Sequence, residues 1–420
     1  MNSRSSRVGA RLAQVVLVAT SWALFGVGQG MSAEEEPPLP KSPDEALRLE
    51  ASMALPITSF YDTPKTLRTS RPGSLLRREA ATEYSLPTGA TAMRILYHSK
   101  DAAGGDVAAS AVVLAPEGKT PATGGWPVIV FAHGTSGVAR ECAPSAMRDL
   151  QYGSMGLFGF LKAGFAVIVL DYHGLGTQSP HQYINKVAQA HDAIYAVPAA
   201  REAVPALGPR WVIDGHSQGG LAAWGVAEEE AELKDPNYLG AVAVAAATLH
   251  DGWLAAHPDS TKDSGFYLAW LAYGIHAGFP QFQPSEMLTP AGAAHYNEIV
   301  TRGCWFYADV LYRGIDAPDM VTPNWSRNVW VQKFFAENRA GVRPIQGPLF
   351  AIAGESDTAV PLDAVHDVVG RACRNKQQIY FRSYPGLDHD RTMTESVAAQ
   401  IGWITDRFAG RSVPSNCSDD

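Results

Sequence analysis

Cysteine is scarce in this chain. Its 420 residues hold four, Cys142, Cys304, Cys373 and Cys417. No two stand at the two-to-four-residue spacing of a zinc knuckle, so no metal site is expected from them. Positive charge is short as well: 34 Lys and Arg face 42 Asp and Glu, a formal net charge of −8. That balance leaves no basic surface to displace counterions from phosphates, and nucleic acid is excluded as a partner. Internal repeats are missing, and beyond residue 33 no uninterrupted apolar run reaches membrane-spanning length. What the chain does have is apolar substance, 46% hydrophobic against 18% charged residues, too much for a disordered or fibrous protein and enough for a large core.

The first 33 residues stand apart. Arg4, Arg7 and Arg11 precede an apolar stretch over 12–27, and Met31-Ser32-Ala33 ends in a small residue, the layout of a cleavable export signal. Its removal would take the net charge from −8 to −11. The expected destination is the periplasm or the exterior, with an uncleaved anchor as the alternative. Export would carry all four cysteines to an oxidising compartment, where two disulfides are expected.

Residues 34–43 are rich in Pro and Glu without periodicity and read as a solvated linker, part of an N-terminal extension over 34–80. Strand formers at 91–96 and 107–114 predict a hairpin. Continuous apolar runs at 127–132 and 166–170 then end in His133-Gly134-Thr135 and Asp171-Tyr172-His173-Gly174, as strands buried on both faces of a parallel sheet do. Helical patterns at 157–163, 186–203, 218–233, 362–374 and 395–408 alternate with strand patterns at 210–213, 239–246, 349–353 and 378–383. Such alternation predicts an α/β fold, a mainly parallel sheet with helices on both faces. From about 250 to 345 the alternation stops in a stretch rich in Trp, Tyr, Phe, Pro and Gly, read as an inserted, mostly helical cap between core segments 81–249 and 346–420. Glu228-Glu229-Glu230 reads as a solvated helix end.

Gly215-His216-Ser217-Gln218-Gly219 matches the G-x-S-x-G pattern, which is weak alone. It follows an apolar run and opens a helical pattern, so Ser217 would sit on a tight strand-to-helix turn with its hydroxyl exposed, and a side chain at either flanking glycine would strike a neighbouring element. A serine needs a base held by an acid, in the chain order Ser, Asp, His for this kind of sheet. Asp357 follows the 349–353 strand in Gly354-Glu355-Ser356-Asp357, with Glu355 as its rival. His389 follows the next strand, whereas His366 falls on a helix and reads as a surface residue. Backbone donors for an oxyanion would come from Gln218, at the start of a helix, and from Thr135 in the turn after the first long parallel strand. His173, His181, His191 and His216 lack ligand spacing and read as packing or pocket-wall residues, so no metal is expected.

With these residues in place the chain resembles the secretory lipase family, the lipase A-like branch of the α/β-hydrolases. The resemblance covers most of 80–420 and rests on His133-Gly134-Thr135, Cys142-Ala143-Pro144-Ser145, Asp171-Tyr172-His173-Gly174-Leu175-Gly176, the Gly215-His216-Ser217-Gln218-Gly219-Gly220 elbow, Pro280-Gln281-Phe282, Leu288-Thr289-Pro290, and the acid loop from Gly354 to Pro361. It implies a cap that covers the nucleophile and shapes an acyl site. It also implies Cys142–Cys304 and Cys373–Cys417 pairing, one of three connectivities. The His-Gly-Thr turn departs from members that carry an acidic residue there, so neither oxyanion geometry nor chain-length preference transfers.

The expected activity is that of an exported serine hydrolase of carboxylic esters, lipase or carboxylesterase, acting on a small-molecule or lipid ester. A transient lipid-interface contact is allowed for, and no cofactor or protein partner is expected. Rival readings are a peptidase on the same fold, which would call for a recognition site for an amine or proline, and a non-catalytic binding module, which would call for a lost triad member. Trp253, Phe266, Tyr267 and Trp270 would either line the acyl site or fill the cap's own core.

Overall fold

The computed structural model of the chain describes residues 39–121, 124–248 and 264–417. The export signal read at 1–33, the linker as far as residue 38, and Trp253 lie outside the described residues. Among the described residues no helix is long and apolar enough to cross a membrane.

β1 (Leu75–Ala81), β2 (Ala90–Lys100) and β3 (Asp106–Pro116) form an antiparallel meander. β4 (Trp126–Ala132), β5 (Ala166–Leu170), β6 (Leu207–His216), β7 (Tyr238–Val244), β8 (Leu349–Gly354) and β9 (Ile379–Tyr384) run parallel to one another. They make one nine-stranded sheet in the order β1-β2-β3-β5-β4-β6-β7-β8-β9, with β3 antiparallel to β5. The β4 and β5 runs are buried on both faces because helices cover both sides. α2 (Lys186–Ala203), α3 (Gln218–Leu233) and α7 (Leu362–Arg374) pack on one face through small residues such as Ala193, Ala200, Ala223 and Ala372. A short turn at Phe158–Lys162 and α8 (His389–Phe408) cover the other through Phe160, Met393 and Trp403.

The N-terminal extension is more ordered than a linker. Ser42 caps α1 (Pro43–Met53), which begins with Pro43 and carries Asp44 and Glu45 in its first turn, three features that favour a helix start. Only Ala46 is buried in α1, so no apolar stripe marks it in sequence. β1 is likewise hidden: an edge strand reading Leu-Leu-Arg-Arg-Glu-Ala-Ala wears charges, as edges do to discourage foreign pairing. β6 is longer than its apolar run because Gly208 and Pro209 precede Trp211 where the register with β4 shifts.

The Glu228-Glu229-Glu230 segment is not a solvated end. The Glu228 carboxylate and the Lys186 ammonium, both fully buried, meet at 2.5 Å, and Glu228 also accepts the Gly341 N–H. Glu229 takes Arg343, and Glu230 accepts the Asp235 N–H. A run of acids is solvated only if nothing basic packs over it, and the partners at 186 and 341–343 are far off in sequence.

Between β7 and β8 the described chain from 264 onward is mainly helical: α4 (Phe266–Gly278), α5 (Trp305–Tyr312) and α6 (Val329–Asn338), with shorter turns among them. This part has its own core of Phe266, Trp270, Phe282, Met287, Met320 and Phe334. Phe266 and Trp270 are fully buried there, with Trp270 Nε1–H donating to the Ile299 carbonyl at 3.1 Å. These two rings fill that core; Tyr267 is only partly buried and accepts the Trp305 indole N–H at 2.7 Å. Two ties hold this part to the rest. Cys142 is joined to Cys304 just before α5, and the Glu50 carboxylate on α1 accepts the Cys304 and Tyr307 N–H groups at 2.9 Å, a negative charge at a helix N-terminus. Cys373 and Cys417 form the second disulfide, which fastens the chain end beyond α8 to the end of α7.

Candidate active site

β6 lies at the middle of the parallel part of the sheet, and its chain turns into α3 at Ser217. Ser217 takes φ 57° and ψ −117°, a region that costs a non-glycine residue on the order of 1–3 kcal/mol. Its backbone is gripped on both sides to hold that shape: its N–H donates to Val244 and its carbonyl accepts from Ala247, both at 2.9 Å. The flanking glycines are sterically obligatory. A Cβ on Gly215 would stand 2.1 Å from the Gly219 oxygen, and one on Gly219 1.8 Å from the Ala132 oxygen.

The turn after β4 lies against this elbow. A Cβ on Gly134 would come within 3.2 Å of Ser217 Cβ and 2.3 Å of Tyr152 Oη. The Gly134 N–H is occupied, donating to Tyr152 Oη at 3.0 Å. Thr135 is held by its side chain, with Oγ1 and Tyr183 Oη 2.9 Å apart, and by its carbonyl, which accepts from Gln151. Among the described residues the Thr135 and Gln218 N–H groups have no acceptor. The two amides selected for an oxyanion are thus free, while that of Gly134, next to Thr135, is not.

Asp357 and His389 come together from the ends of β8 and β9. His389 Nδ1 and Asp357 Oδ2 are 2.8 Å apart, while Asp357 Oδ1 accepts the N–H groups of Ala359 and Val360. Burial lowers the His389 pKa, but the bond to Asp357 and the charges of Asp357, Asp390 and Asp388 outweigh it, and the net shift is upward from 6.5. Glu355 is instead bonded to Ser383, and the exposed His366 packs on Phe381; neither reaches this pair. His389 is the first residue of α8, which starts six residues before the helical pattern in sequence because Asp388 caps it, accepting the Arg391 N–H. The His389 ring lies 4.5 Å, centroid to centroid, from that of His216, the residue before Ser217.

His133, His173, His181 and His191 have partners of their own. His173 pairs with Asp192 at 2.8 Å, and His181 Nδ1 lies 3.0 Å from the His173 carbonyl with the Gln218 side chain at its other nitrogen. Burial drives His181 down to about 3 and His133 to about 4, so both stay neutral. His191 bonds the Asp101 carbonyl. Among the described residues one group could offer three ligand atoms to a metal, His216, His389 and Asp390, within 4.8 Å of one another. Both His216 nitrogens are already used, Nδ1 by Tyr152 and Nε2 by the His389 carbonyl. The residues therefore do not fit a metal ion. Tyr152 had no motif to announce it; its place at this site comes from the fold.

A family model described as secretory lipase matches residues 143–416, well over half of the chain. Among solved structures, lipase A of Candida antarctica superposes with a TM-score of 0.72 at 18% identity, over 87% of this chain and 89% of that one. The rice cell wall degrading esterase LipA from Xanthomonas oryzae gives 0.66 at 16%, over 81% and 98%. A putative hydrolase from Legionella pneumophila gives 0.67 at 18%, over 81% and 100%. Comparison with curated proteins gives no sequence match. At these identities the structures speak for the fold, which is that of the α/β-hydrolases, while the family match spans Ser217, Asp357 and His389. The chain belongs to the secretory lipase family and is a carboxylic-ester hydrolase.

Proposed function

We propose that the chain is an exported serine esterase that cleaves uncharged, apolar carboxylic esters through an acyl-enzyme on Ser217. The observation that carries this reading is the Asp357–His389 hydrogen bond, set beside the Ser217 elbow by the contact between the His216 and His389 rings.

The steps follow from the groups present. The Asp357 carboxylate holds the Nδ1–H of His389, so Nε2 keeps its lone pair and accepts the Ser217 proton as Oγ adds to the ester carbonyl. The new C–O bond places a negative charge on the carbonyl oxygen, which the free N–H groups of Gln218 and Thr135 receive, the first aided by the positive end of α3. As the tetrahedral centre collapses, the C–O bond to the alcohol breaks and His389 returns the proton to the departing oxygen. Water then repeats the sequence on the acyl-enzyme and releases the acid. The Ser217 conformation favours this use, since its strained backbone presents Oγ at the end of the sheet. Residues 1–33 would direct export, and residues 250–345 would act as the cap over the acyl site.

Turnover of p-nitrophenyl butyrate by the native sequence is the test. Ser217→Ala and His389→Ala are expected to fold and to lose roughly 10^4-fold or more in kcat/KM. Persistence of activity in Ser217→Ala would reject the reading. Equal turnover of the matching p-nitroanilide would move it to a peptidase.

A further inference from the structure

One hydroxyl group joins the three segments of the site. Tyr152 Oη accepts the Gly134 N–H at 3.0 Å and lies 2.7 Å from His216 Nδ1, and His216 Nε2 lies 3.2 Å from the His389 carbonyl. A carbonyl can only accept, so His216 carries a proton on Nε2. Tyr152 and His216 are 3% and 1% exposed, and burial, with the nearby His389 adding to it, pushes the His216 pKa well down. The ring is therefore neutral, its Nδ1 keeps the lone pair, and the bond at 2.7 Å is donated by the Tyr152 hydroxyl.

The chain spends strain to bring this hydroxyl in. Leu150 and Gln151, immediately before Tyr152, both take left-handed φ, 57° and 64°, a costly pair without a glycine. Asp149 steadies them, its side chain accepting the Gln151 N–H and its carbonyl the Gly153 N–H. The tyrosine ring then packs edge-on against Phe131 of β4. Ring packing alone would not call for a hydroxyl between a glycine amide and a histidine.

We propose that Tyr152 is a positioning residue for ester cleavage: its hydroxyl occupies the Gly134 amide, which leaves Thr135 as the oxyanion donor of that turn, and through His216 it fixes the backbone of His389. Oxyanion turn, nucleophile elbow and base are thereby held at one spacing by a chain of three hydrogen bonds. The proposal rests on the reading of Ser217, Asp357 and His389 as the triad.

Tyr152→Phe keeps the ring and removes the hydroxyl. Active sites are counted by stoichiometric labelling with a p-nitrophenyl phosphonate, and kcat and KM are measured per labelled site on p-nitrophenyl butyrate. The expected result is a kcat lower by roughly 10- to 100-fold with KM changed less than about threefold, since misplacement of reacting groups by a fraction of an ångström acts on the transition state. A kcat per site within about twofold of the native value would overturn the proposal. So would a loss accounted for by fewer labelled sites. Should Tyr152→Phe not fold, the native protein still decides: ring 15N spectra of histidine-labelled enzyme, with His216 assigned by comparison with His216→Gln, should show the Nε2–H neutral tautomer from pH 5 to 9. An Nδ1–H tautomer or a cationic ring at neutral pH would overturn it. Failure of the triad reading would look different, because the native enzyme would then not be labelled at Ser217.

Discussion

His389 sits between two opposing influences, burial that discharges it and three nearby carboxylates that favour its charge, and the carboxylates win. The general-base action proposed for His389 requires the neutral ring, so activity should be lost as pH falls through the His389 pKa. Because that pKa is raised, the acid limb of kcat/KM is expected to have its midpoint above 6.5, the ordinary imidazole value. Asp357→Asn removes the nearest charge, and should shift the midpoint down while lowering the plateau by roughly 10^4-fold. A pH profile with a native midpoint below 6.5, or one unmoved by Asp357→Asn, would show that another group titrates. At this scale the sequence was informative where chemistry is tied to a local pattern. The elbow glycines and the loops after β8 and β9 draw attention to Ser217, Asp357 and His389, and the structure brings the last two within 2.8 Å of each other while His366 packs on Phe381. Tyr152 was not legible, since its partners lie at Gly134 and His216, 18 and 64 residues away, and nothing in Leu150-Gln151-Tyr152-Gly153 encodes a hydrogen bond to either.

The parallel strands and the helices between them could be read from uninterrupted apolar runs, because an element buried on both faces has no polar alternation to obscure it. α1, β1 and the start of α8 could not, for they are held by caps, edges and single contacts. The helical segment between β7 and β8 shows the same limit in another form. Its aromatic composition was plain, but whether a ring faces a substrate or a neighbour depends on packing, and Phe266 and Trp270 are fully buried in that segment's own core. Two of the four candidate rings thus face neighbours and not a substrate. Each methylene buried in an apolar tunnel would add about 0.8 kcal/mol, so a deep site would raise kcat/KM several-fold for each added pair of carbons. The expected profile across p-nitrophenyl esters from acetate to palmitate instead peaks at short acyl groups, acetate to butyrate. A steady climb to octanoate and beyond, with turnover of emulsified triglyceride, would show that other parts of the cap build a tunnel.

Across the whole molecule, two disulfides fasten parts that are distant in sequence. The Cys142–Cys304 bridge spans 162 residues and the Cys373–Cys417 bridge 44, which in the chain-entropy relation correspond to about 5 and about 4 kcal/mol of stability. Their effects on function should differ. Cys142 follows the His133-Gly134-Thr135 turn and Cys304 precedes α5, so Cys142→Ser with Cys304→Ser is expected to lower both the melting temperature and kcat. Cys373→Ser with Cys417→Ser frees only the chain end, and should lower the melting temperature with little change in kcat at 25 °C. The reverse pattern would contradict the proposed use of the first bridge to tie the helical segment to the Ser217 end of the sheet.

The central claim is that the acyl group passes through Ser217, and covalent trapping tests it most directly. The native enzyme is treated with a p-nitrophenyl phosphonate ester, weighed intact, and digested for peptide mapping. One adduct per molecule is expected, on Ser217, in step with the loss of esterase activity, absent from Ser217→Ala and formed far more slowly in His389→Ala. An adduct on any other residue, or full inhibition without modification of Ser217, would contradict the claim.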